Sequence, residues 1–442
     1  MGGLRDLAWL NNLMSSISNA HPLMNPLLFA TLALASSALA ADNLPAALPP
    51  YYAVKYEASE KPGELGVGVT YTLWVPPGAK TLRGVIVHQH GCGISSGMSG
   101  LTAAYDLHWQ ALARKWNCAL LGPAYHLKAN NECRKWCDPR NGSDVTFQRA
   151  LAHFAVESNH PELTTAPWCL WGHSGGGFWS SLMLTLHPER IAAIFFRSGS
   201  AYAIWERGEI PKPMIPEAAY GVPFLFIGGV KEAQDKVHGP ARIADCAMLK
   251  AWREHGAPGG ISSDPLSGHE CGDSRYLAIA FFDACLAQRL SDDGTQKLKP
   301  TEKGVIVDDS WLPNATFVKA WESYNKTGRP SDTTPPPAPT DVRVSANGEL
   351  TWNAEADLES GLGGFAIERD GTEIAHLPEK PVGKLGTPLF QGLTHGDTPI
   401  IAQPPMRFLD TAAKAGEKHQ YRVFSVNATG LKSAPTVATR NN

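Results

Sequence analysis

The sequence predicts an α/β region with a mostly parallel, doubly wound sheet, followed by a smaller all-β sandwich. Three observations lead to this prediction. In residues 41–326, short apolar runs alternate with amphipathic stretches, the pattern of parallel strands covered by helices on both faces. Residues 327–340 are rich in Pro and Thr, as linkers are. Residues 341–442 hold alternating strand-like runs separated by frequent turns.

The elements of the first region follow from the spacing of its apolar residues. Continuous apolar runs predict buried strands, and apolar residues three and four positions apart predict helices that pack on the sheet. The predicted strands are 67–75, 84–89, 119–121, 168–171, 192–196 and 223–227. The predicted helices are 103–116, 144–158, 176–186, 241–255 and 274–290. Ligands of such sheets bind beyond the carboxyl ends of the strands, so functional residues are expected directly after them.

The first 40 residues are predicted to be an export signal rather than part of the fold. The apolar run 27–35 is too short to span a bilayer, and Ala38 and Ala40 fit a cleavage site built on two small residues. Arg5 is the only basic residue ahead of the run, which makes the signal atypical. We expect a mature chain that begins at Ala41 and is secreted or periplasmic. No later segment of the sequence has the length and apolar character of a membrane span.

Composition and charge exclude several classes of function. The 442 residues are 43% hydrophobic and 18% charged, which is typical of globular proteins and argues against disorder. The formal net charge is only −3, so the sequence offers no electrostatic surface for nucleic acid or anionic membranes. His88 and His90 form an H-x-H pair, but no third ligand follows at a metal-binding spacing. We therefore expect neither a metal nor another cofactor.

The segment Gly172-His173-Ser174-Gly175-Gly176 carries the strongest chemical signal. It matches the pattern G-x-S-x-G and lies between a predicted strand and a predicted helix. Glycines permit a sharp turn that raises the serine hydroxyl above the sheet, next to the positive end of the helix dipole. This pattern predicts Ser174 as a nucleophile.

A serine nucleophile needs a base and an acid that orients the base. His269 lies in a loop ahead of the last predicted helix and is the predicted base. The acid should follow the predicted strand 223–227, where Glu232 fits best and Asp235 is the alternative.

Two backbone N–H groups are the predicted donors to the oxyanion that forms when a serine nucleophile attacks a carbonyl group. Cys92 comes shortly after the predicted strand 84–89, and Gly175 comes directly after the nucleophile. Amide donors at these two places converge above the nucleophile in strand–turn–helix sites of this kind.

The eight cysteines are compatible with an oxidising compartment, where disulfides form. Cys133 and Cys137 lie in a polar, loop-like stretch and are the first candidate pair, although the sequence leaves the connectivity open. Cys118 and Cys169 lie inside apolar runs, where buried free thiols are expected.

The polar segment 122–142 follows a predicted strand and is expected to overhang the site. His126, Trp136 and Arg140 in this segment are candidates for substrate contact, and an ordered structural loop is the alternative. Arg197, at the end of another predicted strand, is a further candidate. For Arg197 the preferred alternative is an ion pair with an acid from a loop.

These motifs resemble the α/β-hydrolase superfamily over about residues 50–295. The matching parts are the H-G-C-G turn, the G-H-S-G-G turn, the Gly-Gly-x-x-Glu loop and the Gly-His before the last helix. The resemblance implies a triad of Ser174, Glu232 and His269, with Cys92 and Gly175 as oxyanion donors. The H-G-C-G turn also resembles the branch of polyhydroxyalkanoate depolymerases and feruloyl or acetylxylan esterases.

The C-terminal region resembles a fibronectin type III domain over about residues 340–440. Trp352 fits the core Trp of the early strands, and Tyr421 fits the tyrosine corner. A long insertion rich in Pro and Gly, around residues 379–407, departs from that family. The resemblance implies a spacer or an interaction module, and contact with a polysaccharide is one candidate role.

The function predicted from these features is that of an exported serine esterase. Its substrate would be a small-molecule or polymeric ester, such as an acyl ester of a polysaccharide or a polyester. A serine peptidase of the same fold and a non-catalytic binding or adhesion protein are the alternatives. The predicted organisation is a signal at 1–40, a catalytic domain at 41–326, a linker at 327–340 and a sandwich at 341–442.

Overall fold

The structure is a computed structural model that describes residues 47–293, 295–380, 383, 385, 387–414 and 416–440. The predicted export signal lies outside the described residues. Within them, no helix is both long enough and apolar enough to cross a membrane.

An eight-stranded sheet forms the centre of the first region. Its strands are β1 (Tyr51–Tyr56), β2 (Gly68–Trp74), β3 (Gly84–Gln89), β4 (Cys118–His126), β5 (Trp168–His173), β6 (Ile191–Arg197), β7 (Phe224–Gly229) and β8 (Gly259–Asp264). The strand order is β1-β2-β4-β3-β5-β6-β7-β8. The pairs from β4 through β3 to β8 are parallel, and β1 and β2 add an antiparallel edge. The predicted α/β class is confirmed, and this topology is that of the α/β-hydrolase fold.

Helices cover both faces of the sheet. They are α1 (Ile94–Met98), α2 (Leu107–Trp116), α3 (Arg134–Cys137), α4 (Ser143–Glu157), α5 (Gly175–Leu186), α6 (Tyr202–Glu206), α7 (Gly239–Arg253), α8 (Arg275–Arg289) and α9 (Ala315–Thr327). The predicted helix 103–116 is divided in the structure. A 3-10 turn, Ser99–Tyr105, comes first, and α2 begins after Asp106, whose carboxylate accepts the N–H groups of His108 and Trp109.

Three elements of the sheet differ from the prediction. Strand β1 was not predicted, because its residues are only half-buried or exposed at the edge of the sheet. Strand β4 extends to His126 because it pairs with the whole of β2, an interaction that a short apolar run does not reveal. Strand β8 was missed because its sequence, GGISSD, is scarcely apolar. Its glycines are needed for packing, since a Cβ on Gly260 would lie 2.8 Å from the carbonyl oxygen of Trp311.

The C-terminal region holds two antiparallel sheets, as predicted. Its strands are β11 (Thr340–Val344), β12 (Glu349–Asn353), β13 (Gly364–Arg369), β14 (Thr372–Leu377), β15 (Arg407–Leu409), β16 (His419–Val426) and β17 (Thr436–Arg440); β9 (Val305–Val307) and β10 (Ser310–Leu312) form a separate hairpin before them. One sheet has the order β11-β12-β15 and the other β14-β13-β16-β17. Trp352 packs on Phe365 between the sheets, and the hydroxyl of Tyr421 donates to Asp410 at 2.9 Å.

The disulfide joins Cys92 to Cys133, so the expected pairing of Cys133 with Cys137 is wrong. Cys133 precedes α3 and faces the turn after β3, whereas Cys137 is buried one helical turn later as a free thiol. The Cα atoms of Cys92 and Cys133 lie 5.4 Å apart. Spacing along the chain cannot show that the loops after β3 and β4 meet in space. Cys118 and Cys169 are buried free thiols, as expected.

Candidate active site

Ser174 lies at the sharp turn between β5 and α5. Its backbone adopts φ 51° and ψ −111°, a conformation that costs energy for a residue with a Cβ. The turn is held by hydrogen bonds from Ser174 N to the Arg197 carbonyl (2.8 Å) and from Phe178 N to the Ser174 carbonyl (3.0 Å). Gly176 permits the close approach, because a Cβ there would overlap the carbonyl oxygen of Gln89. The hydroxyl is thereby presented at the carboxyl end of the sheet.

The structure brings Ser174, His269 and Glu232 into one chain of hydrogen bonds. The distance from Ser174 Oγ to His269 Nε2 is 3.0 Å, and that from His269 Nδ1 to Glu232 Oε1 is 2.6 Å. Glu232 lies just after β7, and His269 lies in the loop between β8 and α8. This geometry allows His269 to take a proton from Ser174 while the carboxylate holds the other side of the ring.

Glu232 is buried but remains a good candidate for a negatively charged partner of His269. Its second carboxylate oxygen accepts a hydrogen bond from Ser198 Oγ at 2.7 Å and lies 3.8 Å from Arg197 Nη1. Burial raises the pKa of Glu232. The hydrogen bonds from His269 and Ser198, with the charges of His269 and Arg197, outweigh burial and lower that pKa overall.

The alternative acid, Asp235, binds a different histidine. Its carboxylate accepts from His238 Nδ1 at 3.0 Å and from the N–H groups of Val237 and His238. The hydrogen bond from His238, followed by those from the backbone, lowers the pKa of Asp235 to about 2. The His238 ring stacks on the His269 ring with centroids 3.9 Å apart. Asp235 therefore lies beside the chain of hydrogen bonds rather than in it.

His173 and Arg197 fix the loop that carries His269. His173 Nε2 lies 2.7 Å from the carbonyl oxygen of His269. Burial, followed by the charges of His269 and Arg197, lowers the pKa of His173 well below its usual range, so its neutral ring donates one N–H to that carbonyl. Arg197 donates to Ser267 Oγ (3.0 Å) and to the carbonyl of Gly268 (2.8 Å). Sequence reasoning missed His173, although it directly precedes the nucleophile.

The turn after β3 brings the N–H of Cys92 next to Gly175. A Cβ on Gly175 would lie 3.3 Å from Cys92 N and would overlap Cys92 Sγ, so only glycine fits this contact. The disulfide from Cys92 to Cys133 ties this turn to the residue before α3. Cys92 and Gly175, whose amides are the predicted oxyanion donors, thus lie next to each other at the turn that carries Ser174.

The four residues expected to contact substrate lie outside the cavity around Ser174. His126 hydrogen-bonds Thr70 Oγ1 at 2.8 Å. Trp136 is fully buried and stacks on Tyr125, so it belongs to the core. Arg140 donates hydrogen bonds to the Asp138 carboxylate through Nε and Nη2. Arg197 is buried between Glu232 and the loop that carries His269. The geometry therefore agrees with an ordered structural loop for segment 122–142 and with an ion pair for Arg197.

A cavity of about 640 Å³ opens at Ser174. Its lining residues are Gly91, Cys92, Ser96, His173, Ser174, Lys231, Glu232, Asp235, His238, Gly268, His269, Glu270 and His395. Among these described residues there is no aliphatic or phenyl side chain. The wall is polar, and its histidines come from four separate places in the chain. Lys231 and His395 were not anticipated from the sequence.

The H-x-H pair at the end of β3 is engaged in contacts with protein groups. His90 Nδ1 lies 2.9 Å from the Gly91 carbonyl oxygen, and His90 Nε2 lies 2.7 Å from that of Pro123. His88 stacks on Trp171, and its Nε2 lies 3.7 Å from Asp397 Oδ2. Both histidines therefore serve packing and loop anchoring in this structure.

No protein-family model and no curated protein sequence matches this chain. Among solved structures, it is similar to a poly(3-hydroxybutyrate) depolymerase from Bordetella parapertussis, with 17% identity, a TM-score of 0.40, and coverage of 58% of this chain and 95% of that one. It is also similar to an S-formylglutathione hydrolase from Agrobacterium tumefaciens, with 15% identity, a TM-score of 0.35, and coverage of 54% and 93%.

A third similar structure is an Fn3-like protein from Clostridium thermocellum. The identity is 21% and the TM-score 0.15, with coverage of 24% of this chain and 92% of that one. Identities and TM-scores this low do not assign the activities of these proteins to this chain.

Proposed function

We propose that this protein is a serine esterase that cleaves carboxylic esters through an acyl-enzyme. The observation that carries the proposal is the continuous chain from Ser174 Oγ through His269 to Glu232, at 3.0 and 2.6 Å, on a strained strand–turn–helix. Activation of a hydroxyl nucleophile requires a hydroxyl, an imidazole and a carboxylate that are hydrogen-bonded in this order. A purely structural contact has no such requirement.

In the proposed acylation, Ser174 Oγ attacks the ester carbonyl carbon and its proton passes to His269 Nε2. The carbonyl oxygen becomes an oxyanion that accepts hydrogen bonds from Cys92 N–H and Gly175 N–H. When the intermediate collapses, the bond to the alcohol oxygen breaks and His269 returns the proton to that oxygen. Water then repeats the sequence on the acyl-enzyme, which releases the carboxylic acid and restores the Ser174 hydroxyl.

Glu232 acts through His269 in this proposal. Its buried carboxylate keeps the Nδ1–H tautomer, so that Nε2 is free to accept the proton, and it stabilises the imidazolium that follows. Ser198 and Arg197 keep the carboxylate ionised and oriented.

We also propose that the protein is exported and that its substrate is an ester of a polysaccharide or a polyester. The disulfide between Cys92 and Cys133 supports export, because such bonds persist mainly in oxidising compartments. The polar wall of the cavity supports a substrate that carries hydroxyl or further ester groups near the bond that is cleaved. A polysaccharide contact through the C-terminal sandwich stays a proposal as well.

A fluorophosphonate probe tests the nucleophile, and a panel of nitrophenyl esters and peptide nitroanilides tests the reaction. We expect the probe to label the intact protein at Ser174, the variant Ser174→Ala to escape labelling, and esters to be cleaved far faster than amides. Labelling at another residue, or none, would reject the proposed nucleophile. Cleavage of amides without esters would favour a peptidase.

A further inference from the structure

The segment between β14 and β15 of the C-terminal sandwich reaches the large sheet. We call residues 387–402 the inserted segment. Gln391 bridges to the start of α2: its Nε2 donates to the Tyr105 carbonyl and its Oε1 accepts from Leu107 N, both at 2.9 Å. Thr387 Oγ1 donates to Asp273 Oδ2 at 2.5 Å, ahead of α8. The segment is therefore anchored on two helices of the other region.

A buried ion cluster fixes the middle of the inserted segment. Arg275 Nε lies 3.1 Å from Asp397 Oδ1, and Arg275 Nη2 donates to the Asp397 carbonyl at 2.8 Å. The same guanidinium bonds both carboxylate oxygens of Asp106. All three side chains are at most 3% exposed. An arrangement this buried and this well hydrogen-bonded holds one geometry, because a charged group separated from its partners inside the protein would be costly.

The turn around this cluster is packed tightly against the loop after β3. Thr398 Oγ1 donates to the Ser99 carbonyl at 2.8 Å, and Thr394 N donates to the Thr398 carbonyl at 2.7 Å. A Cβ on Gly396 would overlap the Ser99 side chain, so the two backbones approach as closely as glycine permits. His395 sits at the tip of this fixed turn.

His395 lies among the residues that line the cavity, together with Ser174 and His269. It keeps an exposed side chain, whereas Gly396, Asp397 and Thr398 after it are buried. Its ring centroid is 6.5 Å from that of His173, the residue that holds the His269 carbonyl. The turn thus places an accessible imidazole, carried by the C-terminal region, in the wall around the candidate nucleophile.

We propose that His395 contacts the substrate, so that the C-terminal sandwich completes the active site through the inserted segment. This inference rests on the proposed esterase function. An imidazole nitrogen can donate or accept a hydrogen bond, which suits a hydroxyl or a second ester carbonyl close to the bond that is cleaved. His395 would therefore favour a hydroxylated ester or a polyester over an ester with a plain hydrocarbon acyl chain.

The test compares His395→Ala and His395→Asn with the matched control His376→Ala, which changes an exposed histidine on β14 of the same sandwich. Two substrates are used: nitrophenyl butyrate, and nitrophenyl 3-hydroxybutyrate, which adds one hydroxyl to the acyl group. We expect His395→Ala to raise KM for the hydroxylated ester about three- to tenfold, the cost of one hydrogen bond. KM for nitrophenyl butyrate should change less than about twofold, and His395→Asn should restore part of the difference.

A binding measurement separates this inference from the esterase proposal. Ser174→Ala protein cannot form an acyl-enzyme, so its affinity for the 3-hydroxybutyrate ester is measured by calorimetry with and without His395→Ala. An affinity weakened by about threefold or more supports the contact even if turnover by Ser174 fails. Equal affinities, together with an unchanged ratio of KM values for the two esters, would overturn it. His376→Ala should leave both measurements unchanged.

Discussion

Replacing Glu232 with glutamine removes one negative charge and keeps the shape of the side chain. At the observed 2.6 Å between His269 Nδ1 and Glu232 Oε1, a Coulomb energy at an effective dielectric constant of about 20 is ~6 kcal/mol. A glutamine carbonyl still accepts the Nδ1–H bond, and neutral bonds are roughly half as strong as charge-assisted ones. About 3 kcal/mol of imidazolium stabilisation would be lost, which corresponds to roughly a 100-fold fall in kcat.

The matched control for this change is Asp235→Asn. Asp235 is 42% exposed and pairs with His238, so its neutralisation should alter kcat less than about threefold. Both variants are assayed by kcat with nitrophenyl acetate at pH 8, alongside thermal unfolding to check that each is folded. If Asp235→Asn cost as much as Glu232→Gln, or if Glu232→Gln kept normal turnover, the assignment of the acid would be refuted.

Three further predictions concern the contact between Cys92 and Gly175, the disulfide of Cys92 and the buried ion cluster. Gly175→Ala should lower kcat by about 100-fold or more, since its Cβ would overlap Cys92 Sγ and displace the turn that carries the Cys92 N–H; a normal kcat would remove this amide pair from the reaction. Reducing the disulfide between Cys92 and Cys133, which closes a loop of 41 residues, should lower the free energy of unfolding by about 4 kcal/mol in denaturant titrations; an unchanged midpoint would contradict this. Burial raises the pKa of Asp397, but the charge of Arg275 and the other partners outweigh it and lower that pKa overall. Its contribution is therefore full above about pH 4, the ordinary pKa, and is lost as pH falls through the lower folded value. Asp397→Asn leaves Arg275 paired with Asp106, so it should cost about 1–3 kcal/mol near neutral pH and flatten the acid side of the stability profile measured by denaturant titration; an unchanged profile would contradict this.

Most of the candidate site was predictable because parallel strands deliver residues to one edge of the sheet. Ser174 follows β5, Glu232 follows β7 and Cys92 follows β3, so each could be found from an apolar run and the polar residue after it. His269 was predicted from its place ahead of α8, although β8 itself was not recognised. The order of these residues along the chain then limited the choice of base and acid.

The remaining parts of the site depend on contacts between distant segments. The pairing of Cys92 with Cys133 requires two loops to meet, and nothing in the spacing of Cys133 and Cys137 reveals this. His173 was overlooked because its role is a single hydrogen bond to the His269 backbone. His395 lies in the insertion between β14 and β15, whose apolar pattern predicts neither strand nor helix.

The pair formed by Arg275 and Asp397 limits how this chain can vary by recombination. Exchanging the C-terminal sandwich for another one would remove Asp397 and leave Arg275 with an incomplete set of partners inside the protein. The two regions should therefore be inherited together, and in related sequences Arg275 and Asp397 should be retained or lost as a pair. A sandwich that lacks the turn 394–398 would have to be joined to an α/β region with a different residue at 275.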